Sequence, residues 1–142
     1  MQVAQILKTK GGKVVTTSPE STAGDVARML SEMKIGAVIV LGAGGKIAGI
    51  ISERDIARGL AAHGSALPTI RVAELMTRSV ATCTPESAIT DIMATMTEKR
   101  FRHMPVLKDG ALIGVVSIGD VVKYRLDELE TETTALHEYI RA

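Results

Sequence analysis

The chain has 142 residues, of which 46% are hydrophobic and 23% are charged, and its formal net charge is +1. This composition excludes general disorder, and the near-neutral charge gives no electrostatic reason to expect binding to nucleic acid or to a membrane surface. No apolar run approaches the roughly 18 residues of a membrane span, and the apolar stretch near the N-terminus is too short for a signal peptide. We therefore expect a cytoplasmic protein built as one ordinary domain or as two small halves.

The predicted elements begin with a short amphipathic helix over 2–8 and a strand over 14–17. Pro19 and Glu20 mark a turn into a helix whose apolar residues recur three and four positions apart. A strand over 37–41 and a returning strand over 46–52 follow, and a second helix begins at 53. The glycine-rich segment 42–45 precedes a strand and lacks the Lys-Ser/Thr pair of a phosphate loop, so we interpret it as a hairpin turn.

The same order of elements returns after a predicted linker over 63–68. Residues 82–107 match residues 16–41 in one register, and residues 110–122 match 45–57 after a single one-residue slip. Such a match indicates a duplication. It predicts a mixed α/β (α+β) fold of two β-α-β-β-α repeats, over 1–66 and 67–142, which pack as a pseudo-twofold pair. A long helix is expected at the C-terminus.

The strand–turn–helix element of each repeat carries the candidate binding chemistry. It reads GIISERDI over 49–56 and GVVSIGDV over 114–121. The serine ends the strand and caps the helix, whose free N–H groups and positive dipole end suit a phosphate or a sugar oxygen. The aspartate three residues later can accept two hydrogen bonds from a ribose diol. In one copy alone, the serine would be interpreted as an N-cap and the aspartate as a partner of the helix dipole; two copies in register favour a ligand.

These two elements, with the T-x-x-P openings at Thr16 and Thr82 and the segment RHMPV over 102–106, resemble a tandem pair of CBS domains. CBS domains are named after cystathionine β-synthase, and such pairs are often called Bateman modules. The resemblance covers essentially the whole chain. It implies binding of an adenosyl ligand (AMP, ADP, ATP or NAD(H), with S-adenosylmethionine ranked below them) in two related clefts. The ribose would meet the aspartate of one repeat, and the base and phosphates would meet the opening and middle strands of the other.

Transferred position by position, the resemblance implies two unlike clefts. The first has two cationic side chains for a phosphate, although a solvated loop at a helix C-terminus is the alternative interpretation of the cluster 99–103. The residues implied for the first cleft are Ser52, Asp55, Val80, Thr82, Arg102 and His103.

The second implied cleft has a glycine and an alanine where the first has the arginine and histidine. It has room but no charge, so a less charged ligand, another part of a dinucleotide or no ligand all stay open. The residues implied for this cleft are Val14, Thr16, Gly36, Ala37, Ser117 and Asp120.

No catalytic residue and no metal site are predicted. Cys83 is the single cysteine, the three histidines are far apart in the sequence, and His103 has no nucleophile or third group in a catalytic pattern. Cys83 is interpreted as a small apolar packing residue. An enzyme is therefore the second hypothesis, and a purely structural dimerisation or adaptor module with vestigial clefts is the third.

The predicted C-terminal helix runs well past the repeat. Its apolar residues leave an incomplete stripe, which would pack across a second subunit or, beyond residue 130, belong to a frayed tail. The resemblance implies a homodimer, and a sensor of this kind would control a further protein that the sequence does not name. We expect no nucleic-acid or membrane partner.

Overall fold

The computed structural model describes residues 1–11 and 13–141. The described helices are α1 (Val3–Lys10), α2 (Ala23–Met33), α3 (Glu53–His63), α4 (Val72–Leu75), α5 (Ile89–Lys99) and α6 (Ile118–Arg141). The described strands are β1 (Thr16–Thr17), β2 (Ala37–Leu41), β3 (Ile47–Ser52), β4 (His103–Lys108) and β5 (Ala111–Ser117).

The contacts divide the chain into two units. The repeat-1 unit comprises Val15–Val80, and the repeat-2 unit comprises Met1–Val14 together with the chain from Ala81 onward. Each unit carries the predicted mixture of helices and strands, so the expected fold class is confirmed.

The sheet of the repeat-1 unit has the order β1-β2-β3, with β1 parallel to β2 and β2 antiparallel to β3. Its α2 is capped by Thr22, whose side chain accepts a hydrogen bond from the backbone N–H of Asp25. A buried cluster of aliphatic residues and one methionine lies between the helices and the sheet of this unit. It contains Val26, Leu30, Val38, Val40, Ile51, Val72 and Met76.

In the repeat-2 unit, β4 and β5 form an antiparallel hairpin. Asp109 and Gly110 join them with positive φ angles of 52° and 80°, the pattern of a type I′ turn, as the Asp-Gly pair predicts. The repeat predicts a counterpart of the strand over 14–17 at residues 80–83, and in the structure this strand is reduced to one parallel bridge between Cys83 and Val106. The core of this unit contains Val3, Ile6, Cys83, Ile89, Ile92, Met96, Met104, Val106, Val116 and Val121.

The two lead-in helices are exchanged between the repeats. Helix α1 precedes the first repeat but packs in the repeat-2 unit, where Val3 N–H donates to Ser87 O at 2.9 Å. Helix α4 precedes the second repeat but packs in the repeat-1 unit, where Val72 N–H donates to Ser21 O at 2.7 Å. The structural units therefore differ from the predicted division at residue 66, because each repeat completes its core with the segment that precedes the other repeat.

The segment predicted as a linker is also part of the repeat-1 unit. Residues Gly64–Thr69 form a 3₁₀ helix in which Leu67 is buried. The apolar side chain of Leu67 fixes this segment against the unit, so the change from one unit to the other falls after Val80 instead.

A pair of duplicated glycines gives a test of the packing. A Cβ atom at Gly49 would lie 2.6 Å from the backbone oxygen of Thr77, whereas one at Gly114 would lie 2.5 Å from a terminal methyl of Leu7. The methyl can rotate away, but the backbone oxygen is held by a hydrogen bond from Ile50 N–H at 2.9 Å. We expect Gly49→Ala to lower the free energy of unfolding by about 2 kcal/mol or more, and Gly114→Ala by about 1 kcal/mol.

Urea unfolding of the two alanine variants and the wild type measures the difference. Equal losses in free energy would contradict the contrast between a fixed backbone atom and a mobile side-chain end.

Candidate functional site

The repeat-1 unit places Ser52 and Asp55 at the corner where β3 ends and α3 begins. Ser52 N–H and Ser52 Oγ donate to Asp55 Oδ2 at 2.9 Å and 3.1 Å, and Asp55 N–H lies 3.4 Å from Ser52 Oγ. This is a reciprocal capping box, in which each residue satisfies the backbone N–H of the other. We call this pair of residues the Asp55 clamp.

The repeat-2 unit repeats the arrangement where β5 ends and α6 begins. Ser117 N–H donates to Asp120 Oδ2 at 2.9 Å, and Asp120 N–H donates to Ser117 Oγ at 3.1 Å. We call this pair the Asp120 clamp. The register inferred from the sequence repeat therefore places both serine–aspartate pairs in the same local geometry.

The expectation of free N–H groups at these helix ends is wrong for the first and third helical residues. Glu53 N–H donates to Gly36 O at 3.0 Å, and Ile118 N–H donates to Arg102 O at 2.8 Å. The third N–H in each helix is bonded to the capping serine. The acceptor of the first N–H is the carbonyl of the residue just before the neighbouring strand, which the sequence pattern does not reveal, so these groups are already satisfied within the unit.

The carboxylate of Asp55 is buried, with a relative exposure of 6%. Its Oδ1 atom accepts a hydrogen bond from Thr77 Oγ1 at 3.2 Å. No sequence pattern marks Thr77 as part of this site. It follows α4, and only the packing of α4 into the repeat-1 unit brings it beside the Asp55 clamp.

The carboxylate of Asp120 has a cationic neighbour instead. Lys10 Nζ donates to Asp120 Oδ2 at 2.8 Å and to the backbone oxygen of Val115 at 3.0 Å. Burial pushes the pKa of Asp120 upward, but the hydrogen bonds from Lys10 and Ser117 and the charge of Lys10 outweigh it, so the pKa lies below its ordinary value.

The two clamps therefore differ in charge. The residues implied for the second cleft, which include Ser117 and Asp120, were expected to lack a cation. That expectation is wrong, because Lys10 forms an ion pair with Asp120. The sequence pattern does not predict Lys10 as a neighbour of Asp120, because it assigns α1 to the first repeat. Its position beside Asp120 follows from the exchange of the lead-in helices.

The remaining residues of the first predicted set lie on both units. Val80 is half-buried in the repeat-1 unit, and Thr82 and Arg102 are exposed in the repeat-2 unit. His103 is half-buried at the start of β4, where it pairs in register with Ser117 of β5. Within the repeat-2 unit, His103 thus neighbours the clamp of the other predicted set.

The second predicted set shows the mirror arrangement. Val14 belongs to the repeat-2 unit, whereas exposed Thr16 and half-buried Gly36 belong to the repeat-1 unit. Ala37 pairs in register with Ser52. Each unit thus brings its own clamp together with the middle-strand residues predicted for the other cleft, and the assignment to two clefts stays a prediction.

Within 1–11 and 13–141, no three His, Cys, Asp or Glu residues are grouped so that they could hold a metal ion. No helix in those ranges combines the length and apolar character that crossing a bilayer requires. Cys83 is buried, which raises the pKa of its thiol to about 11 and agrees with its interpretation as a packing residue.

The sequence pattern of the CBS domain matches this chain twice, over residues 3–62 and 72–127. The chain belongs to the CBS-domain family. The mitochondrial CBS domain-containing protein CBSX3 of Arabidopsis thaliana is 34% identical over 147 residues, an alignment covering 98% of this chain and 71% of the relative.

Solved structures of CBS proteins share the fold. A CBS-domain protein from Agrobacterium tumefaciens is 42% identical, with a TM-score of 0.85 over 88% of this chain and 99% of that one. A more distant CBS pair, protein MJ0100, is 23% identical with a TM-score of 0.79 over 90% of this chain and 98% of its own, and its structure contains 5′-methylthioadenosine and S-adenosyl-L-methionine.

The Lys10–Asp120 ion pair can be tested by removing the cation. In Lys10→Met, we expect the pKa of Asp120 to rise, because the donor and the positive charge are lost while the burial remains. Lys8→Met, which changes an exposed lysine of the same helix, is the matched control. Carboxyl ¹³C chemical shifts followed against pH measure the effect; an unchanged Asp120 titration in Lys10→Met would contradict the contact.

The same ion pair has a consequence for stability. The pKa of Asp120 is lower in the folded state than in the unfolded state. The contribution of the Asp120 carboxylate to the stability of the fold is therefore present above the unfolded-state pKa and is lost as the pH falls through the folded-state pKa. We therefore expect Asp120→Asn to reduce the melting temperature at pH 7 more than at pH 3. A reduction of equal size at both pH values would contradict this account.

Proposed function

We propose that this CBS pair is a regulatory module that binds an adenine nucleotide, AMP, ADP, ATP or NAD(H). The observation that carries the proposal is the occurrence of two serine–aspartate clamps in the same strand–helix geometry. CBS pairs are generally ligand-binding regulatory domains, and proteins composed of CBS domains are typically regulatory rather than catalytic. The adenosyl compounds in the MJ0100 structure support this ligand class.

The chemistry of the Asp55 clamp suits a ribose. An ionised carboxylate offers about four lone-pair positions, of which the capping serine and Thr77 use only part. Hydrogen bonds from vicinal hydroxyls to an ionised carboxylate are charge-assisted, and two of them fix the orientation of a sugar. The serine bonds hold the carboxylate in place before a ligand arrives, which reduces the entropy lost on binding.

The two clamps are proposed to be unequal. At the Asp120 clamp, Lys10 neutralises the carboxylate and occupies part of it, so a ribose there competes with an ion pair. The Asp55 clamp has a neutral hydroxyl partner instead. We therefore propose that the Asp55 clamp binds its ligand more tightly, and that Arg102 and His103 serve its phosphate as the family resemblance implies.

A structural adaptor with vestigial sites is the second candidate function. The local hydrogen bonds within both capping boxes favour it, because these residues have a structural role without any ligand. We also propose a homodimer, a regulated partner protein and a cytoplasmic location, and each is compatible with either candidate function. A mitochondrial relative, CBSX3, shows that the family is not confined to the cytoplasm.

Titration calorimetry with AMP, ATP, NADH and S-adenosylmethionine separates the candidates. We expect saturable binding of at least one nucleotide, weakened about tenfold or more in Asp55→Asn, because a neutral amide replaces a charge-assisted acceptor. Asparagine retains an oxygen for Ser52 N–H, which preserves most of the cap. Asp127→Asn, an exposed position of α6, is the control. No binding at millimolar concentration would favour the adaptor.

The phosphate contact is tested by comparing AMP with adenosine. We expect Arg102→Met to weaken AMP binding several-fold and adenosine binding little, since only the phosphate needs the cation. Lys108→Met removes an exposed cation from the other end of β4 and serves as the control. Equal losses for AMP and adenosine in Arg102→Met would remove the phosphate role.

A further inference from the structure

None of the residues that the structure describes covers the second half of α6. Near its start, the helix is fixed to the repeat-2 unit by buried Val121 and by Glu128, which contacts the N-terminal ammonium of Met1 at 2.6 Å and Arg125 at 3.4 Å. From Leu129 to Arg141, every residue is exposed. This segment is about as long as the shortest isolated helices that are stable in water, so packing against a partner would stabilise it.

A seven-residue apolar repeat runs along the exposed side of α6. Its positions alternate in steps of four and three, the spacing of the a and d positions of a coiled coil, and the five large apolar residues among them are 40–72% exposed. The members of this stripe are Val122, Leu126, Leu129, Thr133, Leu136 and Ile140.

The stripe does not face the core of its own unit. The residues of α6 that are buried or half-buried in its own unit are Ile118, Asp120, Val121, Tyr124, Arg125 and Glu128. At about 100° per residue, the stripe is centred roughly 100° around the helix from the face that these residues form. The stripe and the intramolecular contacts are therefore centred on different sides of α6. The helix can contact its own unit and a second helix at the same time.

The charges flanking the stripe are arranged to attract a second copy of the same helix. In the heptad, Lys123 and Glu130 occupy e positions, and Arg125 and Glu132 occupy g positions. In an antiparallel pair, e positions face e positions and g positions face g positions. When Leu126 lies opposite Leu129 of the partner subunit, Lys123 faces the partner's Glu130 and Arg125 faces the partner's Glu132. Twofold symmetry repeats both pairs.

We propose that α6 forms an antiparallel two-stranded coiled coil with α6 of a second copy of this chain, in this register. A shift by one heptad in either direction would put like charges together, Lys123 against Lys123 in one case and Glu130 against Glu130 in the other. A parallel pair would set Arg125 against Glu130 but leave Glu132 opposite His137, with no lysine or arginine to pair with. The antiparallel register thus has the most opposite-charge pairs, and like-charge contacts disfavour its neighbours.

A charge-swap series measured by sedimentation equilibrium tests the register in the full chain. We expect Lys123→Glu to raise the dissociation constant of the dimer roughly tenfold, because each of two symmetric attractions becomes a repulsion. Adding Glu130→Lys in the same chain restores dimerisation to within about threefold of wild type. Glu138→Lys, on the side of the helix opposite to the stripe, is the control and changes it little.

Spin labels on introduced cysteines test the orientation, and buried Cys83 reacts little because of its raised thiol pKa. In the proposed register, labels at residue 127 lie almost level, whereas labels at residue 138 are separated by about 30 Å along the axis, at about 1.5 Å per residue. Level labels at both positions would show a parallel pair and overturn the proposal.

Two further results would also overturn it. One is a chain that stays monomeric at high micromolar concentration, which would mean that the stripe binds a different protein. The other is a dimer whose dissociation constant does not change with the charge swaps. The proposal does not depend on nucleotide binding. Calorimetry and the dimer measurements can therefore fail separately.

Discussion

The reciprocal hydrogen bonds between serine and aspartate at each strand–helix corner fix the rest of the structure around them. Each bond pair ends a strand and begins a helix within one residue, which sets the direction of α3 and α6 relative to their sheets. It also holds a carboxylate at a defined point beside the neighbouring strand. The same contact thus has a structural consequence and a proposed functional one, and the two are compatible.

Duplication provides two copies of this corner, and the exchanged lead-in helices make them different. Thr77 reaches the Asp55 clamp after α4, whereas Lys10 reaches the Asp120 clamp from the end of α1. The Thr77 hydroxyl adds no charge beside the first carboxylate, whereas the Lys10 ammonium places a positive charge beside the second. The asymmetry between the halves therefore arises from the segments that precede the repeats, more than from the repeated residues.

The local parts of this arrangement could be predicted from the sequence. The Asp109-Gly110 turn, the strand ends at Ser52 and Ser117 and the long C-terminal helix depend on short-range patterns. The contacts of Lys10 and Thr77 could not, because no periodicity marks which unit receives a lead-in helix. The hydrogen bonds of the first N–H group in each helix could not be predicted for a related reason: their acceptors, Gly36 O and Arg102 O, lie just before a different strand of the same unit.

The central claim is that an adenine nucleotide binds through the clamp carboxylates. Carboxyl ¹³C resonances of the aspartates, recorded while AMP or NADH is added, test it most directly. The account predicts saturable chemical-shift changes at Asp55 and constant resonances at exposed Asp127. At Asp120, it predicts changes that are smaller or that need a higher nucleotide concentration. Unchanged resonances of both clamp aspartates, in a sample in which calorimetry shows the nucleotide to be bound, would contradict it.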